Sequence, residues 1–372
     1  MSTHHIVFTG GGTGGHLFPG LAVAGQLASQ LRRVRITFVG SGKDFERRQV
    51  QSAGFQYFAL PCRPLPRRAR EAVPFIVENV AGYLAAGRFL DDRCVDAVVG
   101  LGGYASVPMG RAASRRRVPL VLLEQNVTLG RANRWLSRWA SLICTSFDQT
   151  ETQLRAGCPV RTTGTPIRTG PNPVATEPSA RRQLLVLGGS GGARSLNENV
   201  PRALYKVRES LGGWSIVHQS GEADLEATRQ LYRKLALEAT VEAFFADLPD
   251  RMATAGLAVC RAGGTTLAEL SAAGVPALLL PYPHATGDHQ RKNAEALLAA
   301  GGSLMLDERE ISGRLDDPLA EVISGLLADE GRRAAMSRAM REVARPHAAA
   351  EVASLIWSLV SSRVPPARLA AA

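Results

Sequence analysis

The chain has 372 residues, 45% of them hydrophobic, five cysteines and a formal charge of +11. That length holds two domains of ordinary size, and the odd, scattered cysteines (62, 94, 144, 158 and 260) exclude a disulfide framework and a Cys-x-x-Cys zinc site and fit a reducing compartment. No apolar run reaches the roughly 20 residues of a membrane span and no signal peptide is visible, which predicts a cytoplasmic chain; the basic charge points to an anionic partner, whether nucleic acid, an anionic membrane face or a phosphorylated substrate.

Ile6, Val7 and Phe8 read as a strand. Gly10, Gly11, Gly12, Thr13, Gly14 and Gly15 follow as a loop, then His16 and a Pro19-Gly20 step lead into a helix over 21–31. A glycine loop between strand and helix suits a phosphate, because backbone N–H groups point at it. The spacing is neither that of the P-loop nor that of the dinucleotide fingerprint. His16 at the mouth of such a helix has the chemistry of a general base, and a capping or packing role stays open.

Strands are predicted over 35–40 and 55–60, with a polar helix between them. Residues 61–70 are rich in proline and arginine, with Arg67, Arg68 and Arg70. Residues 74–90 read as a helix with one apolar side: Phe75, Ile76, Val80, Tyr83, Leu84, Phe89 and Leu90. Its first reading is a helix covering the sheet; the second is a basic membrane-surface element. A strand over 97–100 ends in Gly102, Gly103 and Tyr104. Another over 120–123 ends in Glu124, Gln125 and Asn126, which look like a site rather than packing, and Asn133 faces the same mouth if 130–136 is helical. Strands over 141–145 and 160–163 precede Gly164 to Arg168. The proline-rich stretch 169–179 is the candidate linker.

The second half opens like the first: a strand over 184–187, a loop over 188–193 with Ser190 among glycines, and a helix from Ser195. Strands follow over 215–218 and 241–245, the latter reaching Phe245. The stretch 260–293 is the richest. A strand ends at Cys260, Gly263 and Gly264 turn the chain, and Thr265 and Thr266 are N-cap candidates for a helix over 267–273. Gly274 and Pro276 stop that helix, and a strand over 277–280 leads to a polar loop and a helix from Arg291. A helix that starts after a glycine pair presents free N–H groups and a positive dipole end to a phosphate or sugar oxygen. Glu269, one turn in, is a natural acceptor for two ribose hydroxyls, and Asp288, His289, Gln290 and Asn293 are further hydroxyl-binding groups. A solvated Glu269 beside a merely polar loop remains the plain alternative. Strand, glycine loop and helix at the head of each half predict an α/β chain of two similar doubly wound domains. Residues 316–360 are alanine-rich and helical in pattern.

These stretches together resemble the MurG family, membrane-associated N-acetylglucosaminyltransferases of bacterial peptidoglycan synthesis. The matching motifs are GGTGGHLFPG at 11–20, GGYASVP at 102–108, EQN at 124–126, GTPIR at 164–168, GGSGGARSLN at 188–197, HQSG at 218–221, CRAGGTTLAEL at 260–270 and HQRKNA at 289–294. The resemblance implies the GT-B arrangement, two Rossmann-like domains facing a cleft: 1–166, 167–345, and a helical tail over 346–372 packing back on the first domain. It implies inverting transfer of N-acetylglucosamine from UDP-N-acetylglucosamine to the 4-hydroxyl of the muramic sugar of lipid I, giving lipid II, with no cofactor and no catalytic metal. Ser190 and its loop would meet the donor diphosphate, the backbone near Phe245 the uracil, Arg168 the nucleotide and Glu269 the ribose. Thr265 and Thr266 would lie over the phosphates, with Gln290 and Asn126 on the sugar. Thr13, Gly14 and Gly15 would close over the donor, His16 would be the base, and Gly11, Gly12, Tyr104, Glu124 and Asn133 would line the acceptor side. The implied partners are the two substrates, the anionic inner leaflet, and other cell-wall and division proteins, not nucleic acid; the implied location is peripheral, on the cytoplasmic face of the inner membrane. One position departs: the family usually has a histidine before Glu-Gln-Asn, and here stands Leu123, read as secondary. The alternatives are another GT-B UDP-sugar transferase or epimerase, a non-catalytic cell-wall scaffold, and a dehydrogenase, whose glycine spacing is missing.

Overall fold

The computed structural model describes residues 3–31, 33–66, 68–154, 157, 159–168 and 181–362; Arg67 and the linker expected at 169–179 lie outside the described residues. Two parallel sheets carry the chain. The first contains β1 (His4–Thr9), β2 (Val34–Gly40), β3 (Gln56–Ala59), β4 (Ala97–Gly100), β5 (Leu120–Glu124), β6 (Leu142–Thr145) and β7 (Val160–Thr162), in the order β3-β2-β1-β4-β5-β6-β7. The second contains β8 (Gln183–Leu187), β9 (Ser215–Gln219), β10 (Thr240–Glu242), β11 (Leu257–Cys260), β12 (Ala277–Leu279) and β13 (Ser303–Met305), in the order β10-β9-β8-β11-β12-β13. The winding is the same in both: the first strand lies inside the sheet, the chain runs to one edge, then jumps back and runs to the other. Helices cover both faces, so strands such as Ile6, Val7 and Phe8 are apolar throughout and fully buried. The winding reverses between β1 and β4 and between β8 and β11. At such points the loops part and leave a crevice at the carboxyl edge.

Several elements differ from the sequence reading. The first helix starts at Gly14, not after Pro19-Gly20, and runs Gly14–Gln30 with Pro19 inside it. The strand expected to reach Phe245 stops at Glu242. The helix expected from Arg291 begins at His289, which places Gln290 in its first turn. The edge strand β13 has only three residues.

The helix Ala72–Asp92 covers the sheet with one face and leaves another outward. Gly82, Ala86, Gly87 and Leu90 are buried, and Ala86 and Leu90 pack with Val7, Val98 and Met109. Val73, Ile76, Val77, Val80 and Leu84 are 51–70% exposed. At 100° per residue these five fall within an arc of about 100°, so a continuous apolar stripe faces outward.

The last helix, Ala348–Ser361, returns to the first sheet. Val352, Ala353 and Ile356 share a core with Ile6, Phe8 and Leu27, and Trp357 meets His4 edge-on at 5.2 Å. The chain leaves the first sheet through Gly164 to Arg168 and comes back past Ala344 and Arg345. The two crossings touch: a Cβ on Gly164 would stand 2.6 Å from that of Arg345.

Candidate active site

The loop after β1 carries Gly10, Gly11 and Gly12, all at positive φ (+124°, +133° and +91°). A side chain at Gly10 would meet the Gly102 carbonyl at 2.5 Å, so glycine is required there on two counts. The loop is held from below by Glu46, whose buried carboxylate accepts from Gly12 N at 2.7 Å, Ser41 N and Oγ at 2.8 Å, and the Tyr57 hydroxyl at 2.6 Å. Burial and that carboxylate raise the Tyr57 pKa, so its hydroxyl keeps the proton it donates.

The helix Gly14–Gln30 starts directly on this loop. Thr13 is its extended N-cap, with a side chain that makes no capping bond, and Thr13 and Gly15 are exposed. His16 is half-buried and its Nδ1 lies 3.1 Å from Gln125 Oε1. The ring rests over the turn after β4, where a Cβ on Gly102 would meet Nδ1 at 3.0 Å. Tyr104 is half-buried beyond the same turn.

The carboxyl end of β5 is an internal brace. Glu124 is 2% exposed and accepts from Asn126 N (3.2 Å) and Nδ2 (3.1 Å), Gly130 N (2.9 Å) and Asn133 Nδ2 (2.9 Å). Glu124 and Asn133, expected on the acceptor side, are thus turned inward to shape the 125–130 loop. Four donors converge on one carboxylate, and that is why it sits under the cleft rather than on it. Asn126 is half-buried, and its Oδ1 accepts from Asn293 Nδ2 at 3.0 Å.

On the opposite edge, the loop after β8 turns at Gly189 and Gly192, with φ of +83° and +75°. Gln219 ties it down: Nε2 donates to Gly189 O at 2.9 Å and Oε1 accepts from Phe245 N at 3.0 Å. Phe245 is fully buried beneath the Arg251 guanidinium, 4.1 Å from its ring centroid. Further along, the helix Gly264–Ala273 is capped by Gly263, and Gly274 ends it at φ +66°. Thr265 and Thr266 therefore lie inside the helix rather than at its cap.

The two edges meet. Gly14 N donates to Ser190 Oγ at 3.2 Å, and Thr265 Oγ1 donates to Gly15 O at 2.8 Å. The second bond depends on Pro19, which has no N–H for the carbonyl four residues back and so leaves Gly15 O free to accept. Gly264 passes so close to Gln125 that a Cβ would be 1.9 Å from its carbonyl oxygen. Asn293, fully buried, accepts from Val127 N at 2.9 Å and donates to Asn126 and to Ala262 O. Arg168 Nε donates to Glu269 Oε1 at 3.1 Å while its guanidinium lies 4.2 Å from the Phe18 ring centroid. Burial raises the pKa of the Glu269 carboxyl, and Arg168 opposes that shift. Gln290 Oε1 accepts from Tyr282 N at 2.9 Å, and Phe18 stacks on Phe244 across the gap at 6.0 Å.

Known proteins share this arrangement. Residues 6–145 match the N-terminal domain of glycosyltransferase family 28, and residues 183–352 match its C-terminal domain. The UDP-N-acetylglucosamine–N-acetylmuramyl-(pentapeptide) pyrophosphoryl-undecaprenol N-acetylglucosamine transferase of Geobacter sulfurreducens is 37% identical over 350 residues, covering 92% of this chain and 95% of its own. The enzyme of the same name from Methylococcus capsulatus is 38% identical over 354 residues, covering 94% and 97%. The chain belongs to the MurG family. The crystal structure of Acinetobacter baumannii MurG, 29% identical, matches with a TM-score of 0.73 over 95% of this chain and 99% of that one. The architecture is the GT-B fold of MurG: two doubly wound α/β units across a cleft.

Set against the MurG motifs, the structure gathers His16, Thr13, Gly14 and Gly15 on one wall and Ser190, Thr265 and Glu269 on the other, with Asn126 reaching Asn293 between them. Gln290 stands further out, bonded to its own loop. Sequence reading missed Glu46, which governs the first glycine loop from another β-α unit, and Gln219, which joins the second loop to Phe245. It quoted Gln125 in its motif without giving it a task. Each acts through a long-range contact that spacing along the chain does not announce.

Proposed function

We propose that this cleft transfers N-acetylglucosamine from UDP-N-acetylglucosamine to the 4-hydroxyl of the muramic sugar of lipid I, the undecaprenyl-diphosphate-linked acceptor of peptidoglycan synthesis, giving lipid II with inversion. The observation that carries this reading is the meeting of the two walls: the backbone of Gly14 and Gly15, directly before the imidazole of His16, is hydrogen-bonded to the Ser190 hydroxyl and to Thr265 at the start of a helix on the other wall. An inverting displacement needs those two things. The acceptor hydroxyl attacks the anomeric carbon and gives its proton to His16, while the carbon–oxygen bond to the diphosphate breaks and its electron pair leaves with UDP. A positioned base contributes about 100- to 10,000-fold. The leaving charge is met by Ser190 Oγ and the N–H groups at the start of the helix Gly264–Ala273, fixed donors that need no reorganisation. Glu269 holds the ribose hydroxyls, and Arg168 orients Glu269 and covers the nucleotide.

The acceptor carries a polyprenyl tail, so the enzyme works against a membrane. Among the described residues no helix is long and apolar enough to cross one. The outward stripe of Val73, Ile76, Val77, Val80 and Leu84, preceded in the chain by Arg68 and Arg70, supports peripheral docking on the anionic cytoplasmic leaflet, where each nearby arginine adds about 1 kcal/mol. Vesicle sedimentation tests it: wild type binds anionic vesicles in a salt-sensitive way, and Ile76→Glu with Leu84→Glu releases it. Unchanged binding by the double variant would place the docking face elsewhere.

The reaction itself is tested by UDP release with a lipid I analogue in the presence of EDTA. Release by wild type and not by His16→Ala supports both the transferase and its base. UDP-N-acetylglucosamine binding without release by wild type would point to a different acceptor.

A further inference from the structure

An imidazole can act as a base only through a nitrogen that carries a lone pair, so its tautomer decides whether it works at all. His16 is placed beside one side chain able to make that choice. Gln125 is 2% exposed, and its amide has two neighbours: Nε2 lies 3.5 Å from Leu101 O, and Oε1 lies 3.1 Å from His16 Nδ1. A backbone carbonyl only accepts, so the amide nitrogen must face Leu101 and the amide oxygen must face His16. An amide oxygen also only accepts, so His16 Nδ1 must carry the hydrogen. Nε2 is left with its lone pair and, among the described residues, has no hydrogen-bond partner. Gln125 cannot drift from this post. It sits at the carboxyl end of β5, and the backbone of Gly264 from the opposite wall lies directly on its carbonyl.

We propose that Gln125 is a positioning residue for the transfer reaction: it fixes the Nδ1–H tautomer of His16 and so presents Nε2 to the acceptor hydroxyl. The proposal rests on the reading of His16 as the base. It also gives the second residue of the Glu-Gln-Asn motif a task distinct from those of its neighbours, since Glu124 braces the loop and Asn126 bonds Asn293. The charged groups on the surrounding elements are Glu124, held by Gly130 and Asn133, Glu46 and Lys43 beside Gly12, and the Arg168–Glu269 pair across the cleft. None of them is hydrogen-bonded to the Gln125 side chain, so a change in pH dependence in a Gln125 variant reports on the Gln125–His16 bond.

The test uses the full chain with UDP-N-acetylglucosamine and a lipid I analogue, comparing wild type, Gln125→Met, Gln125→Glu and His16→Ala from mildly acidic to mildly alkaline pH. Methionine keeps the length of the side chain and removes the acceptor. Gln125→Met lowers kcat by about 10- to 1,000-fold and leaves KM for UDP-N-acetylglucosamine within about two-fold. Glutamate keeps an acceptor and adds charge. Gln125→Glu retains turnover, and the acid limb of its kcat/KM profile moves to higher pH because a carboxylate favours the imidazolium. Wild-type kcat in Gln125→Met overturns the proposal. If thermal melts show that Gln125→Met does not fold, the glutamate variant decides, and an unmoved acid limb overturns the proposal. Full turnover by His16→Ala removes the base reading and this inference together. An inactive His16→Ala beside two unaltered Gln125 variants removes the inference alone.

Discussion

The two glycine loops occupy equivalent places, one after β1 and one after β8, in sheets wound in the same order. They are built differently. The first is held by a buried charge, Glu46, and is followed on its helix by an imidazole. The second is held by a neutral amide, Gln219, and contains the hydroxyl of Ser190. The shared winding fixes where a crevice opens. The side chains lent by neighbouring strands fix which chemistry stands in it. A fold repeated within one chain can therefore place an imidazole on one wall and a hydroxyl on the other without any repeat in sequence.

Four experiments separate the two walls. The largest effect belongs to His16→Ala, which lowers turnover by about 100- to 10,000-fold while calorimetry finds UDP affinity nearly unchanged. Glu269→Ala has the opposite signature. It removes the partner of Arg168 and the ribose acceptor, so UDP affinity falls by about 10- to 100-fold, on the order of 1.5–3 kcal/mol; unchanged affinity would refute the ribose role.

The third probes the frame of the second wall. His218 is fully buried between Tyr232 and Asn197, and burial lowers its pKa to about 3. The unfolded chain binds this proton near its ordinary value of 6.5 and the folded chain does not. The stability held at neutral pH is therefore lost as pH falls from about 6.5 toward 3, at up to about 1.4 kcal/mol per pH unit. Urea midpoints across that range should slope less in His218→Gln than in wild type. The smallest effect is that of Thr265→Val, which keeps the volume, deletes the bond to Gly15 O and costs about 1 kcal/mol, read as a roughly five-fold lower kcat/KM.

The strands, the glycine loops and the doubled plan were legible because glycine runs after apolar strands have few other uses. His16, Ser190, Thr265 and Glu269 were legible as candidates for the same reason: each stands at the mouth of a helix. The misreadings have local causes. Pro19-Gly20 looks like a helix boundary, yet Pro19 is tolerated because Thr265 supplies the hydrogen bond that the proline withholds. Thr265 and Thr266 look like caps, yet Gly263 caps and the hydroxyl of Thr265 is used across the cleft. Glu124 and Asn133 are candidates because they are polar near a strand end, and the bonds by which they brace the 125–130 loop are visible only in three-dimensional packing. Nor does the strand β13 announce itself, being three residues long after a glycine pair. Glu46 and Gln125 contact Gly12 and His16, 34 and 109 positions away, distances over which sequence pattern carries no signal.

The return of the last helix to the first sheet has a mechanical consequence. The second sheet is joined covalently to the first by two chain segments, and these lie against each other at Gly164 and Arg345. Two adjoining segments at an element terminus are the kind of place about which hinge motions between units occur. The segments thus join the two sheets at one place, while the Gly14–Ser190, Thr265–Gly15 and Asn126–Asn293 bonds join them a second time across the cleft.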